Sequence, residues 1–237
     1  TVVPDGEPTL DVYLGSAIEH LRSLKLPIAI ISNGSLVDRL DVQHDLAQAD
    51  WVSLKVDAVD EETWHKLNRP NRRLDLPTIL AGMLDFARSF KGELVTETML
   101  VEGVNDRTGH LRGLAEFLGR LKPSRAYLSI PTRPPAEQGV KCPSEEVVNR
   151  AFQILGKTVP RVEYLVGYEG NAFASTGNLE EDLLSIAAVH PLREEAVREL
   201  LKRDQAGWER VEELLQKQEL AEVEYAGHKH YTRKWRT

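Results

Sequence analysis

Short apolar runs of the buried-strand type alternate with amphipathic helical patterns along most of this chain, and no other feature limits its possible folds as strongly. The runs are residues 27–32 (PIAIIS), 51–56 (WVSLKV), 94–101 (LVTETMLV), 125–130 (RAYLSI) and 161–166 (RVEYLV). A helix predicted over 12–24 carries Leu14, Ile18 and Leu21 on one face. Ile79, Met83 and Phe90 share another face with Phe86 and Ala87 at its edge; Leu111, Leu114, Ala115 and Leu118 share a third, and Val147, Val148, Ala151 and Ile154 a fourth. Strand–helix repetition over about 170 residues predicts an α/β fold with a parallel sheet and helices packed outside it, as an open doubly wound sheet or an incomplete (β/α) barrel. Thr1-Val2-Val3 reads as the end of one more strand, and so short an opening with no initiator Met or polar lead-in makes N-terminal truncation the expectation.

A second unit is predicted from residue 189. Two helical faces (Ala196, Val197, Leu200 and Leu201, then Trp208, Val211, Leu214 and Leu215) precede the alternation Leu220, Glu222, Val223, Tyr225. An Ala226-Gly227 turn and residues 228–231 complete a hairpin. Helix, helix, hairpin is the winged-helix order, so the expected domains are 1–188 and 189–237. From His190 onward ten basic and ten acidic side chains balance, and the second helix sets Glu209, Glu212 and Glu213 against Arg210 and Lys217, a poor surface for tracking phosphates. A small domain that packs on the barrel or on a partner is the alternative. His228 and His230 project from one strand face as a pair short of a third ligand, which fits a solvated hairpin better than a metal site.

Charge and cysteine content exclude several functions. The 237 residues carry 30 basic and 37 acidic side chains, a formal charge of -7, so phosphate backbones and anionic lipid have no general attraction for the chain. No apolar run approaches the roughly 20 residues needed to cross a bilayer. The single cysteine, Cys142, forms no internal disulfide and cannot alone hold zinc or an iron–sulfur cluster, which makes a reducing, cytoplasmic setting the expectation.

Ligands of parallel α/β sheets bind at the carboxyl ends of the strands, so the residues following each run are the candidates. They are Gly6, Glu7 and Pro8; Ser32 and Asn33; Lys55 and Asp57; Gly103, Asn105 and Asp106; Ser129, Thr132 and Arg133; and Tyr168, Glu169 and Asn171. Turn chemistry explains the glycines, prolines and asparagines but does not call for Glu7, Lys55, Arg133 or Glu169. Lys55 and Asp57 share strand parity, as ligand contacts or as a simple ion pair. Either Glu97 with Met99 or Thr96 with Thr98 faces the lumen, and parity alone does not choose. The segment Asp5-Gly6-Glu7-Pro8-Thr9-Leu10 is the most specific of these signals: a strand, a Gly-Glu-Pro turn and a helix start leave backbone groups and one carboxylate suited to an ammonium. Glu7 also suits the electrostatics of a helix N-terminus.

That segment resembles the Gly-Glu-Pro element of the radical S-adenosylmethionine (SAM) superfamily, which holds the methionyl ammonium of the cofactor. Ile31-Ser32-Asn33-Gly34 is similar to the family's third-strand Thr-Asn-Gly element, and Val52-Ser53-Leu54-Lys55-Val56-Asp57-Ala58 to its fourth-strand segment at ribose and carboxylate. Leu100-Val101-Glu102-Gly103-Val104-Asn105-Asp106 is similar to the turn near the adenine, and Trp64-His65-Lys66-Leu67-Asn68-Arg69-Pro70 to the wyosine-type tRNA-modifying synthases. The resemblance runs to about residue 175. It implies an incomplete (β/α) barrel of radical SAM type, without the first strand and its cluster loop, followed by a winged-helix-like domain. It implies cofactor contacts from Gly6, Glu7, Pro8, Ser32, Asn33, Ser53, Lys55, Asp57, Gly103 and Asn105, and substrate contacts from Thr98, Ser129, Thr132 and Arg133. The implied cofactors are SAM and a [4Fe-4S] cluster, and the implied reaction is reductive cleavage to a 5′-deoxyadenosyl radical that abstracts hydrogen from substrate. The implied partner is a reductant such as ferredoxin or flavodoxin; the substrate is not readable, the nearest subgroup suggesting tRNA, against which the acidic charge weighs, with a small metabolite or a protein side chain as the alternatives. The family's Cys-x-x-x-Cys-x-x-Cys loop is not in this sequence, so its ligands are expected upstream of residue 1, no residue here is assigned as catalytic or metal-binding, and the chain alone is expected to be inactive. The rival readings are a cluster-free (β/α) barrel lyase or isomerase using Glu7, Asp57 and Glu169, and a winged-helix adaptor with the barrel as scaffold.

Overall fold

Five strands, β1 (Ala29–Ser32), β2 (Trp51–Lys55), β3 (Glu93–Met99), β4 (Arg125–Ser129) and β5 (Val162–Leu165), lie parallel and in chain order in one sheet of the computed structural model. The structure describes residues 1–2, 6–135, 137, 139–165, 176–189, 191–225 and 227–234. Val2 bridges Ile30 in parallel, with its N–H donating to Ala29 O at 2.7 Å, so the chain opens alongside β1. Every crossover is helical: α2 (Leu40–Leu46) follows β1, α3 (Glu61–Asn68) and α4 (Leu76–Ser89) follow β2, α5 (Thr108–Leu121) follows β3 and α6 (Glu145–Leu155) follows β4, with α1 (Leu14–Arg22) ahead of the sheet. Local chemistry starts these helices. Asp60 and Asp75 cap α3 and α4 by accepting from Thr63 N and Thr78 N, each at 2.9 Å, and Ser144 caps α6.

Strand parity separates the two faces of the sheet. Ile28, Ile30, Val52, Leu54, Val56, Leu94, Ala126 and Leu128 are buried in one core with Ile18, Leu46, Met83, Phe86, Leu111, Leu118 and Leu155 from the helices. Each large apolar side chain so buried contributes about 1.5–3 kcal/mol. The opposite parity carries Ser53, Lys55, Glu97, Arg125, Tyr127, Ser129 and Glu163 together with the apolar Ile31, Trp51, Val95, Met99 and Leu165. The helices pack on the first face, and on the second Lys55, Glu97 and Ser129 stand at the carboxyl ends of their strands. Two details differ from the sequence reading. Leu21 lies within α1 but is 39% exposed, and the buried residues of that helix are Leu14 and Ile18. Helix α2 was not foreseen, since only Val42 and Leu46 are buried in its seven residues, too few to register a period.

The chain divides into two compact units, residues 1–130 with 140–166, and residues 131–139 with 167–237. The second contains α7 (Leu179–Val189), β6 (Leu192–Arg193), α8 (Glu194–Arg203), α9 (Glu209–Gln216), β7 (Leu220–Tyr225) and β8 (His228–Arg233), with an antiparallel sheet in the order β6-β8-β7. Its core joins Leu183 and Ala187 of α7 to Val197, Leu200, Val211, Leu214, Leu220 and Tyr231, so it takes in a helix ahead of residue 189. Burial raises the pKa of the Tyr231 phenol, and the hydrogen bond to Glu222 adds to this. The solvated-hairpin reading of the two histidines holds for His228 alone. His230 is 1% exposed, its Nδ1 lies 3.2 Å from His228 O, and burial lowers its pKa and so favours the neutral ring. Among the described residues, no three of His, Cys, Asp and Glu group to hold a metal ion.

Candidate functional site

The rim begins at Glu7, whose position follows from local hydrogen bonding. Its carboxylate caps the short 3-10 turn Pro8–Leu10, with Oε1 accepting from Thr9 N (3.1 Å) and Thr9 Oγ1 (2.7 Å). The same oxygen accepts from Ser32 Oγ at 2.6 Å, and Oε2 accepts from Asn33 N at 2.6 Å. Glu7 thus fastens the Gly-Glu-Pro turn to the carboxyl end of β1. Ser32 Oγ also receives Gly34 N (3.0 Å), and Asn33 Oδ1 receives Ser35 N (2.8 Å). Gly34 sits at φ 72°, where glycine is favoured, and a Cβ there would meet the Met83 methyl. Ser32 and Asn33 thus build a turn that Glu7 holds, and Asn33 also lines the cavity beside Lys55. Glu7→Gln should destabilise the chain by about 2 kcal/mol, because one amide oxygen replaces two acceptor oxygens and an NH2 is turned toward donors. Urea denaturation checks this, and a loss under about 0.5 kcal/mol would refute the clamp.

The next strand ends converge on one lysine. Register places Lys55 opposite Glu97, Glu97 opposite Tyr127 and Tyr127 opposite Glu163. Lys55 Nζ lies 3.5 Å from Asp57 Oδ1 and 3.6 Å from Glu97 Oε1. Asp57 is buried; its Oδ1 accepts from Met99 N and its Oδ2 from Asn68 Nδ2, both at 2.8 Å. Glu97 Oε1 accepts from Ser129 Oγ at 2.9 Å. Burial raises the Asp57 pKa, and Lys55 and the two N–H donors only partly offset it. Burial lowers the proton affinity of Lys55, but Asp57 and Glu97 outweigh it and the ammonium pKa is raised. Both ion-pair distances exceed those of short charge-assisted hydrogen bonds, so the ammonium keeps donor capacity for a third acid.

The structure divides the remaining candidates. Asn105 is buried, donates from Nδ2 to Asp57 O (2.9 Å) and Met99 O (2.8 Å), and accepts Val101 N at Oδ1 (2.9 Å). Its amide ties the β2 and β3 ends to the turn holding Gly103, which is exposed at φ 72°. Thr98, expected to touch substrate, lies instead on the helix-packed face, with its hydroxyl donating to Val56 O at 2.7 Å; Glu97 and Met99 are the pair on the polar face. Ser53 is buried on that face and Ser129 joins the lysine cluster, whereas Thr132 and Arg133 fall in the segment that groups with the second unit. Gly6 is exposed and Pro8 buried in the Glu7 turn. Tyr168, Glu169 and Asn171 lie outside the described residues. Sequence reasoning missed Tyr127 and the contact of Asn68 with Asp57, for which strand register and helix placement were the needed signals.

The chain matches no family model. It is 42% identical over 229 residues to a UPF0026 protein of Methanocaldococcus jannaschii, a match covering 96% of this chain and 71% of that protein. This chain belongs to the UPF0026 family. A UPF0026 protein of Helicobacter pylori strain J99 is 33% identical over 150 residues, 62% of this chain, which spans about half of that relative's length (48%). The S-adenosylmethionine-dependent nucleotide dehydratase of Lacinutrix mariniflava is 24% identical over 126 residues, 51% of this UPF0026 chain and 25% of the dehydratase. Among solved structures, a domain of the pyruvate-formate lyase-activating enzyme of Bacteroides vulgatus superposes with TM-score 0.53 at 20% identity, covering 67% of this chain and 94% of that one. A radical SAM methyltransferase of Sphaerobacter thermophilus gives TM-score 0.54 at 21% identity over 68% and 49%. TYW1 with a lysine-pyruvate adduct gives 0.52 at 19% over 65% and 48%. These likenesses are of fold, and they place this UPF0026 chain's parallel sheet and outer helices in the radical SAM fold.

The polar face fits SAM in part. An amino-acid carboxylate would meet the Lys55 cation and its ammonium the acceptors of the Glu7 turn, at the strand ends where parallel α/β sheets bind ligands. A four-iron cluster does not fit the residues of this chain, since Cys142 is the one cysteine and a cluster needs several thiolates.

Proposed function

We propose that this chain is the SAM-binding portion of a radical SAM enzyme whose cluster cysteines lie outside these 237 residues. The observation that carries the reading is one cavity of about 250 Å³ lined by Asn33, whose N–H donates to Glu7, and by the ion-paired Lys55 and Asp57, at the strand ends of a sheet with the radical SAM fold. In the intact enzyme a [4Fe-4S] cluster would supply the electron that releases a 5′-deoxyadenosyl radical from SAM for hydrogen abstraction. This chain's residues would bind and orient. Lys55 pairs the methionyl carboxylate while Asp57 and Glu97 hold its ammonium in place; Glu7 and Ser32 set the turn whose acceptors face the cofactor amine; Ser53 and Asn33 flank them. The element order α7, β6, α8, α9, β7, β8 supports a winged-helix reading of the second unit. Its α9 carries Glu209, Glu212 and Glu213, which favours a protein or peptide contact over tRNA.

The test is equilibrium dialysis of the 237-residue chain against radiolabelled SAM. The expected result is saturable binding, weakened about tenfold or more by Lys55→Met, since a desolvated charge pair is lost. Binding that is absent, or indifferent to that substitution, would overturn the assignment. Anaerobic iron and sulfide reconstitution of the complete gene product tests the cluster: a brown four-iron species is expected, whereas a colourless protein active with a divalent metal alone would favour the lyase reading.

A further inference from the structure

Between Glu62 and Asp75 the chain carries Lys66, Arg69, Arg72 and Arg73 and no acidic side chain, a local excess of positive charge in a chain whose formal charge is -7. Two of the four are already engaged: Lys66 Nζ pairs with Glu62 Oε1 at 2.6 Å, and Arg69 has a partner of its own. Arg72 and Arg73 are exposed and form no ion pair with the described residues. Asp75, the next acid along the chain, is taken up in capping α4, where its Oδ2 accepts from Thr78 N at 2.9 Å and from Thr78 Oγ1 at 2.6 Å. The turn that carries the two arginines is fixed. Asn71 Oδ1 accepts from Arg73 N and Asn71 O from Leu74 N, both at 3.0 Å, and Leu74 packs against the core. Arg69, Pro70, Asn71 and Leu74 line the cavity beside Lys55, so Arg72 and Arg73 sit on the turn that walls this cavity without lining it themselves. Inside the cavity Lys55 is held between Asp57 and Glu97, which leaves no surplus of positive charge there.

We infer that the substrate of this site bears a phosphate ester, and that Arg72 and Arg73 bind it beside the cavity. The inference rests on the SAM reading, which supplies the neighbouring reactant. SAM has no phosphate, so holding the cofactor gives the arginine pair no role. Each guanidinium offers planar, paired donors that match phosphate oxygens, and one phosphate has enough oxygens to accept from two of them. A carboxylate has two oxygens, which a single guanidinium fills. Two arginines on a fixed turn also lose less freedom on binding than they would on a loose loop.

Titration of the 15N-labelled 237-residue chain with uridine, uridine 5′-monophosphate and octauridylate at low salt separates the phosphate from the rest of the ligand. The monophosphate is expected to move the amide signals of residues 71–75 and to bind about tenfold more tightly than uridine. Arg72→Gln combined with Arg73→Gln, both at exposed positions, should remove that advantage and leave the urea midpoint and the binding of radiolabelled SAM unchanged. Octauridylate binding more tightly than the number of its phosphates accounts for would assign the phosphate to a nucleic-acid backbone, and equal affinity per phosphate would assign it to a small ester. Equal binding of uridine and its monophosphate, shifts that bypass residues 71–75, or octaglutamate binding as tightly as octauridylate would refute the inference. Loss of SAM binding in the double variant would also refute it, by making the arginines part of the cofactor site, and would leave the SAM proposal standing. Monophosphate binding by a chain that does not bind SAM would keep the phosphate site and overturn the cofactor reading.

Discussion

Asn105→Ala is expected to destabilise the first unit by about 3 kcal/mol or more, the largest loss from any single polar side chain at the site. The Asn105 amide satisfies three backbone groups from two strand ends and a turn: Asp57 O, Met99 O and Val101 N. Alanine would leave all three short of a partner in a buried place, and each such group costs about 1–3 kcal/mol. The three groups are close together and relax jointly, so their costs are not summed in full. Urea denaturation followed at Trp51 and Trp64, with amide exchange at Met99 and Val101, is the measurement. A loss below about 1 kcal/mol would mean that Asn105 is a replaceable rim residue and that its contacts in the fold are incidental. Asn105→Asp should be nearly as harmful, because a carboxylate presents acceptors to two carbonyls.

Lys55→Met is expected to cost about 2 kcal/mol near neutral pH, and the cost should shrink in acid. In the native chain burial already raises the Asp57 pKa above its ordinary 3.8, against the pull of Lys55. Without the ammonium the pKa rises further. A carboxyl whose folded pKa is raised lends its full stability below the unfolded pKa and loses it as pH climbs through the folded one. The variant should therefore differ most from the native chain above its raised Asp57 pKa, and the two should converge as pH falls toward 3.8, where Asp57 is protonated in both. Denaturation midpoints measured from about pH 4 to pH 8 read this directly. A pH-independent deficit would mean that the pairing of Lys55 with an ionised Asp57 is not what stabilises the fold. Lys55→Met with Asp57→Asn should recover stability, since the double variant buries no unpaired charge.

Much of the fold was open to reading from patterns of short range. Ala126 and Leu128, like Val52 and Leu54, alternate within their strands, and Met83, Phe86, Leu114 and Leu118 recur at helical spacing, so strands and longer helices could be placed within a few residues. Helix α2 escaped because it buries two side chains, and Leu21 was misassigned because helical spacing sets a face without saying how far along it the core reaches. At the site, the Gly-Glu-Pro turn and the Lys55 and Asp57 parity were visible for the same reason: each is a matter of neighbours along one strand. The work those residues do was not visible. That Glu7 also fastens the turn shows only when Ser32 and Asn33, some 25 residues on, are seen to donate to it. Thr98 reads as a substrate contact until β3 is set in register against β2.

The amino-acid sequence by itself determined the alternation of strands and helices, the strand ends that carry polar groups, and the likeness to radical SAM proteins, because propensity, period and turn chemistry act between residues close along the chain. Only the tertiary structure decided that the helices cover one face of the sheet, that Glu97 and not Thr98 joins Lys55, that Asn105 fastens the rim, and that Asn33 and Lys55 line one cavity. Those outcomes depend on register and packing between segments far apart in the chain, where a shift of one residue turns a side chain from one face of a sheet to the other.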